Sequence, residues 1–401
     1  MPRALWLICL FCFACEAAPA TEDASMDAAR VDRDAGSPPE DLPPEDLDGF
    51  ITWQMERGGL PGAAVAIVRP DGDAFVGAYG YADLEGEVPV DRHTLFILAS
   101  VSKTVAAVRV MQLVESGALD LDAPLDGMLP YALRHPEHPD APITARMLLS
   151  HVSGLEDVFS TLAEVTTAGG DPEVSLAEFA EGYASEGGAW YGEGNWGAEP
   201  GTRHAYCNAG YGVIGHLVEV AGGASFRAQT EDGVFGPLEM DGAGWFLADV
   251  DEARVAVPYG YNGRSYNPLP QNGFAYYPAS SLRASITGLA RYARMLLRGG
   301  ELDGSRVLSE ESVAELLRLQ YPELDRGQAL TFSERGVGAS RYIGHSGSTF
   351  GGSTQFLLSR EGTHAIVLIT NSDAYIRSRF GQTEGRDAME AILRRLDAEA
   401  R

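Results

Sequence analysis

The chain almost entirely lacks lysine. Lys and Arg together number 30 in 401 residues, and Lys103 is the single lysine among them. Arginine serves wherever only a positive charge is needed, but it does not release its proton at accessible pH, whereas a desolvated lysine can. Lys103 follows Ser100 by three residues, so it is a candidate for a position that requires proton transfer. Chance is the alternative, because serine is common in this chain.

Positive charge and cysteine are also scarce. The formal net charge of -27 excludes nucleic acids and anionic membrane surfaces as expected partners. Three of the 4 cysteines lie in the N-terminal segment, which leaves Cys207 alone in the body of the chain. An internal disulfide is therefore excluded there, and stability must come from an apolar core.

The N-terminal residues are typical of an export signal. Arg3 precedes an apolar run at residues 4–14, which is too short to span a bilayer. Residues 1–20 are predicted to be a signal peptide, either cleaved after small residues or processed as a lipoprotein signal that ends before a lipid-anchored Cys15. We expect an exported protein that is periplasmic, membrane-anchored or secreted.

The segment that follows is acidic and rich in proline. Residues 21–48 show no apolar periodicity, and this composition predicts a disordered tether. A trimmed propeptide is the alternative. The folded domain is predicted over residues 49–399.

Apolar patterns place strands near both ends of that domain and helices between them. The predicted strands cover residues 62–68, 74–79, 353–359 and 364–370. We therefore predict an α+β fold, in which N- and C-terminal segments form one antiparallel sheet flanked by helices. The α/β lobe is expected at about 49–115 and 275–399, with an inserted, mostly helical lobe at about 116–274.

The segment 100–116 is predicted to be a helix with Ser100 in its first turn. Positions i and i+3 share a helix face, so the Lys103 amine would lie beside the Ser100 hydroxyl. The helix N-terminus adds a positive potential that lowers the lysine pKa, and a neutral amine can accept the serine proton. This arrangement is typical of nucleophilic catalysis.

Two further motifs follow in the same chain: Tyr206-Cys207-Asn208 and His345-Ser346-Gly347. Together with Ser100-x-x-Lys103, in this order, they resemble the serine β-lactamase and penicillin-binding-protein-like superfamily. The resemblance is to class C β-lactamase-related serine hydrolases, which include D,D-carboxypeptidases and esterases. It covers about residues 50–396 and implies a β-lactamase/transpeptidase-like fold.

The resemblance implies catalytic roles for three residues. Ser100 would be the nucleophile that forms an acyl-enzyme, and Lys103 and Tyr206 would share the role of general base. Tyr206 would act as a phenolate, which requires a nearby cation because a free tyrosine titrates at about 10. The alternative for Tyr206 is a half-buried core tyrosine.

The same resemblance implies binding roles for four more residues. Asn208 would hydrogen-bond the substrate or Lys103, and the backbone N–H groups of Ser100 and Ser348 would form the oxyanion hole. His345 and Gly347 belong to the third motif, which faces the substrate. No metal and no cofactor is expected. The alternatives are a turn residue at Asn208 and a structural histidine at position 345.

The residue at position 345 bears on the substrate. A histidine is mostly neutral at about pH 7 and grips a substrate carboxylate more weakly than a lysine would. Unless Arg341 supplies a charge, this favours an esterase or D-amino-acid peptidase over a β-lactamase or D,D-carboxypeptidase. The aromatic segment 259–277 predicts either a cleft wall or a loop pinned by packed tyrosines.

The expected partner is a small-molecule or peptide substrate, bound by a monomer. A catalytically inactive, wall-associated binding module is the alternative from another functional class.

Overall fold

The structure is a computed structural model that describes residues 42–401. The predicted signal peptide, Cys15 and most of the predicted tether lie outside the described residues. Within residues 42–401, no helix combines the length and apolar character needed to cross a membrane.

Helices make up much of the described chain. The α-helices are α1 Leu47–Gly58, α2 Ser102–Glu115, α3 Ala145–Leu149, α4 Phe159–Glu164, α5 Leu176–Ala184, α6 Ala209–Gly222, α7 Phe226–Thr230, α8 Ile286–Leu297, α9 Glu310–Leu317, α10 Ala374–Ser378 and α11 Glu384–Ala400.

The strands of the large sheet come from the two ends of the domain, and short strand pairs lie between them. They are β1 Gly62–Arg69, β2 Gly72–Asp83, β3 Val88–Pro89, β4 Phe96–Ile97, β5 Thr166–Thr167, β6 Tyr259–Tyr261, β7 Tyr266–Pro268, β8 Gly273–Phe274, β9 Arg283–Ala284, β10 Glu301–Leu302, β11 Ser305–Arg306, β12 Ser333–Val337, β13 Ser340–Thr349, β14 Gly352–Ser359 and β15 Ala365–Thr370.

One seven-stranded antiparallel sheet joins the chain's beginning to its end. Its order is β12-β13-β14-β15-β1-β2-β3, and β1 pairs with β15 from Ala63 opposite Thr370 to Val68 opposite Ala365. The fold class is thereby confirmed: an α+β architecture with a sheet from both termini flanked by helices. The N-terminal hairpin turns between the paired residues Arg69 and Gly72.

Apolar side chains cover both faces of this sheet. Helices α1 and α11 pack on one face, where Ile51 and Ile392 join a cluster with Val65 of β1. Helix α8 packs against β1 and β15 on the opposite face. The α1 boundaries follow from local chemistry: the Asp46 side chain accepts from the backbone N–H of Gly49, and Gly59 ends the helix in the left-handed conformation.

The segment between the sheet strands contains the helices that hold the candidate site. Helix α2 packs against α6, and α6 also contacts α3, α5 and α7. Helix α2 is almost wholly buried, so its apolar positions face neighbours on every side. The predicted helix at 100–116 begins later than expected, because Ala99–Val101 form a 3₁₀ turn and the α-helix starts at Ser102.

Candidate active site

Ser100 lies in a strained turn at the entrance to α2. The preceding Ala99 has φ 48°, a left-handed conformation that costs a non-glycine residue about 1–3 kcal/mol. The turn is held because the Leu98 N–H donates to the Leu282 carbonyl oxygen at 2.8 Å, and the Val101 N–H donates to the Leu98 carbonyl at 3.2 Å. Rigid neighbours thus fix the position of the Ser100 hydroxyl.

The Lys103 amine is fully buried and has three oxygen neighbours. Nζ lies 2.8 Å from Asn208 Oδ1, 2.9 Å from the Ala279 carbonyl oxygen and 3.1 Å from Ser100 Oγ. The first two oxygens only accept hydrogen bonds, whereas the serine hydroxyl can also donate. A neutral amine would therefore place its two N–H bonds on Asn208 and Ala279, which leaves its lone pair facing Ser100.

The surroundings favour that neutral amine. Burial lowers the pKa of Lys103 to about 7, and the negative charge of Asp157 partly opposes this shift. A substantial share of the molecules thus carry an uncharged amine at neutral pH.

Tyr206 lies above this amine. Lys103 Nζ is 4.9 Å from the centre of the Tyr206 ring, and the Tyr206 hydroxyl hydrogen-bonds Ser100. Although 43% of the residue is exposed, burial of its hydroxyl end raises the pKa of Tyr206, and the charge of Arg379 opposes this only weakly. The direction of this shift favours the protonated phenol over the expected phenolate, because burial disfavours the charged form.

His151 holds the backbone on both sides of Tyr206. Its carbonyl accepts from the Ala205 N–H at 2.8 Å, and its Nδ1 accepts from the Cys207 N–H at 3.1 Å. Its ring packs against the Tyr206 ring with centroids 4.4 Å apart. The residue is buried and has φ 59°. These contacts show that His151 supports Tyr206.

Asn208 is fixed by a carboxylate that sequence reasoning missed. Asp157 Oδ2 accepts from Asn208 Nδ2 at 2.6 Å, and its oxygens accept from the backbone N–H groups of Asn208 and Ala209 at 2.8 to 2.9 Å. Asp157 belongs to none of the three motifs, so the sequence held no signal that singled it out.

Strand β13 brings the third motif to the serine. A side chain at Gly347 would place Cβ 2.2 Å from the Leu98 carbonyl oxygen, so glycine is what lets the strand approach the nucleophile turn. This approach carries the backbone of the next residue, Ser348, toward the same turn. His345 is buried on this strand, and its ring centre lies 6.2 Å from that of Tyr206.

His345 is neutral in this setting. Burial, together with the nearby charge of Lys103, lowers the pKa of His345 to about 3. Its Nδ1 lies 2.7 Å from the Ser346 carbonyl oxygen, which identifies Nδ1 as the protonated nitrogen.

Two other expectations are decided by packing. Arg341 is exposed and donates to Glu334 Oε2 at 2.6 Å, so it supplies no charge to the serine. In the aromatic segment, Tyr259, Tyr276 and Tyr277 are buried, which favours the pinned loop over a cleft wall. Within residues 42–401, no group of His, Cys, Asp and Glu side chains is arranged to hold a metal ion.

Comparisons with known proteins agree with this geometry. A family model described as Beta-lactamase matches residues 47–388. The chain is 33% identical over 267 residues to Penicillin-binding protein 4 of Amycolatopsis lactamdurans. The aligned region covers 65% of this chain and 66% of that protein. It is 31% identical over 225 residues to Esterase EstB of Burkholderia gladioli, covering 53% of this chain and 54% of the esterase. The chain thus spans between about half and two thirds of these two relatives.

Solved structures share the fold. The D-amino acid amidase from Ochrobactrum anthropi SV3, complexed with L-phenylalanine amide, superposes with a TM-score of 0.68 at 20% identity, covering 89% of this chain and 100% of the amidase. The octameric penicillin-binding protein homologue from Pyrococcus abyssi has a TM-score of 0.64 at 22% identity. The superposition covers 81% of this chain and 73% of the homologue. Because the family model spans most of the chain and the fold agrees, this chain belongs to the Beta-lactamase family of serine hydrolases.

Proposed function

We propose that the chain hydrolyses small ester or amide substrates through an acyl-enzyme on Ser100. One observation carries the proposal: the buried Lys103 amine has two carbonyl-type acceptors and a single hydroxyl partner, Ser100. A pKa of about 7 leaves the lone pair of that amine available at neutral pH.

Acylation follows from this geometry. Ser100 Oγ forms a bond to the substrate carbonyl carbon while its proton passes to Lys103 Nζ. The carbonyl oxygen becomes an oxyanion and is stabilised by the backbone N–H groups of Ser100 and Ser348. Each such donor is worth on the order of 2.7–4 kcal/mol in characterised enzymes.

Tyr206 then completes the proton transfers. As a phenol hydrogen-bonded to Ser100, it is suited to donate its proton to the leaving alcohol or amine and to regain one from Lys103. In deacylation a water attacks the ester carbonyl while its proton passes to the neutral Lys103 amine. Ser100 Oγ then leaves with a proton from Tyr206, which regains one from Lys103. Asn208 keeps the amine oriented throughout.

The substrate preference rests on the charges near the site. His345 is neutral and Arg341 points to Glu334, so neither offers a fixed cation for a substrate carboxylate. This favours an ester or a D-amino-acid amide, in line with the esterase and amidase among the similar proteins. A β-lactamase or D,D-carboxypeptidase is the second candidate, and the charge of Arg379 near Tyr206 is the observation that favours it.

Location and assembly are part of the proposal. The predicted signal at residues 1–20 supports export, with a lipid anchor at Cys15 as one of its two forms. We propose that the exported domain acts as a monomer. Light scattering of the purified domain measures the oligomeric state, and mass spectrometry of the exported protein reports a lipid on Cys15.

A substrate panel and a covalent probe test the function. Wild type and Ser100→Ala are compared on p-nitrophenyl butyrate, nitrocefin, a D-amino-acid amide and a D-Ala-D-Ala peptide. A fluorescent phosphonate should label wild type and leave Ser100→Ala unlabelled. Equal labelling of both proteins refutes the nucleophile, and a folded wild type that neither reacts nor turns over any substrate favours the inactive binding module.

A further inference from the structure

Asp157 reaches the catalytic group through hydrogen bonds with Asn208 and its neighbours. Its two oxygens accept from Asn208 Nδ2 and from the backbone N–H groups of Asn208 and Ala209, and the Cys207 thiol is 3.4 Å away. A carboxylate that gathers this many donors from one short segment does more than fill a surface position.

The carboxylate decides which way the Asn208 amide points. An ionised carboxylate only accepts hydrogen bonds, so the NH₂ end of the amide must face Asp157. The carbonyl end is thereby turned toward Lys103, where Oδ1 lies 2.8 Å from Nζ. This oxygen occupies one N–H of the amine. With the second N–H on the Ala279 carbonyl, the lone pair is directed to Ser100.

The charge of Asp157 also acts on the amine. The titratable groups around Lys103 are Asp157 from the loop before α4, His151 from the loop after α3, Tyr206 and Cys207 from the segment before α6, Tyr211 of α6 and His345 of β13. Burial lowers the pKa of both histidines and raises the pKa of both tyrosines and of the thiol. These five groups are thus neutral at physiological pH, and the charge that bears on the amine is that of Asp157.

We propose that Asp157 is a positioning residue that orients the Lys103 lone pair toward Ser100 through the Asn208 amide and tunes the charge state of that amine. This rests on the proposed function of Lys103 as the base. The simpler alternative is that Asp157 only caps the N-terminus of α6, since it accepts from Asn208 and Ala209. A cap would affect stability but would leave the titration of the lysine unchanged.

The single lysine makes a direct test available. Protein labelled with carbon-13 at lysine Cε, on a lysine-free tag, gives one lysine signal in an NMR spectrum, and its titration reports Lys103 alone. The variant is Asp157→Asn, and the matched control is Glu156→Gln, which removes a neighbouring charge that pairs with Arg203.

Three results are expected. In Asp157→Asn the pKa of Lys103 is lower than in wild type by roughly one pH unit, because a nearby negative charge has been removed. The acid limb of kcat/KM moves to lower pH with it, and kcat falls by about tenfold or more because the amide is no longer held. Glu156→Gln matches wild type in all three measurements. A folded Asp157→Asn with the wild-type lysine titration overturns the proposal.

The NMR readout keeps this inference separate from the function. A lowered Lys103 pKa in Asp157→Asn supports the tuning role even if no tested substrate is hydrolysed. A wrong proposed function shows separately, because wild type would then be as inactive as Ser100→Ala. If Asp157→Asn does not fold, its lysine signal titrates at about the free value of 10.4. Asp157→Glu then carries the test: the charge stays, the longer chain displaces the amide, and kcat must fall. An unchanged kcat in that variant overturns the positioning role.

Discussion

Replacing Lys103 with arginine keeps the positive charge but removes the proton acceptor. The fall of the lysine pKa from 10.5 to about 7 corresponds to ~5 kcal/mol in favour of the uncharged amine at this buried position. A guanidinium cannot become neutral there, so it must either stay charged at this cost or move out of the site and displace Tyr206. In neither case does a lone pair face Ser100.

The expected loss for Lys103→Arg is about 10²- to 10⁴-fold in kcat/KM, the usual contribution of a general base. The assay is hydrolysis of the best substrate from the panel, measured from about pH 5 to pH 9. Wild type should lose activity as pH falls through the lysine pKa, because protonation removes the base, and should reach a plateau above it. The variant should show no such limb.

A matched control lies on the same helix. Arg109→Lys exchanges the same two residue types at a side chain that donates to Gln229 and Gln112, far from the serine's partners, and should keep wild-type activity. Activity of Lys103→Arg within about fivefold of wild type would refute proton transfer by this amine.

Three further outcomes follow from the packing. Gly347→Ala should reduce activity strongly and lower the free energy of unfolding by about 1–3 kcal/mol, because its Cβ meets a backbone oxygen. The control Gly336→Ala has open space around it and should change neither quantity in the same hydrolysis and urea-unfolding assays. His151→Ala should lower kcat by about tenfold, because the Cys207 N–H loses its acceptor. His151→Asn should restore part of that kcat, since asparagine offers an oxygen and tolerates positive φ. Equal kcat in the two variants would contradict this. Asp397→Ala should lower the free energy of unfolding by about 1–3 kcal/mol and leave kcat unchanged, because this buried carboxylate accepts from the buried Tyr342 hydroxyl at 2.8 Å. A lower kcat at unchanged stability would refute this reasoning.

Local patterns in the sequence were sufficient for most of the architecture. Apolar runs bounded by turn residues predicted the strands β1, β2, β14 and β15, and their positions at opposite ends of the chain predicted a shared sheet. The lone Lys103 beside Ser100 indicated the chemistry, because arginine cannot replace a residue that must release a proton.

The sequence alone could not supply the details that set the chemistry of the site. Asp157 is one acid among 57 acidic residues, and only the folded chain shows that it accepts hydrogen bonds from Asn208. The Ala279 carbonyl, which takes one of the two N–H bonds, is 176 positions from Lys103 and carries no side-chain signal. The direction of the Tyr206 pKa shift could not be read from the sequence for the same reason, since desolvation depends on what surrounds a hydroxyl.

The sequence by itself determined the four strands β1, β2, β14 and β15, the order of the three motifs and the need for one amine that can lose its proton, because these depend on residue type and local spacing. The tertiary structure decided where that amine directs its lone pair and how strongly it is desolvated. Both depend on oxygen atoms brought together from distant segments, and no local pattern records their positions.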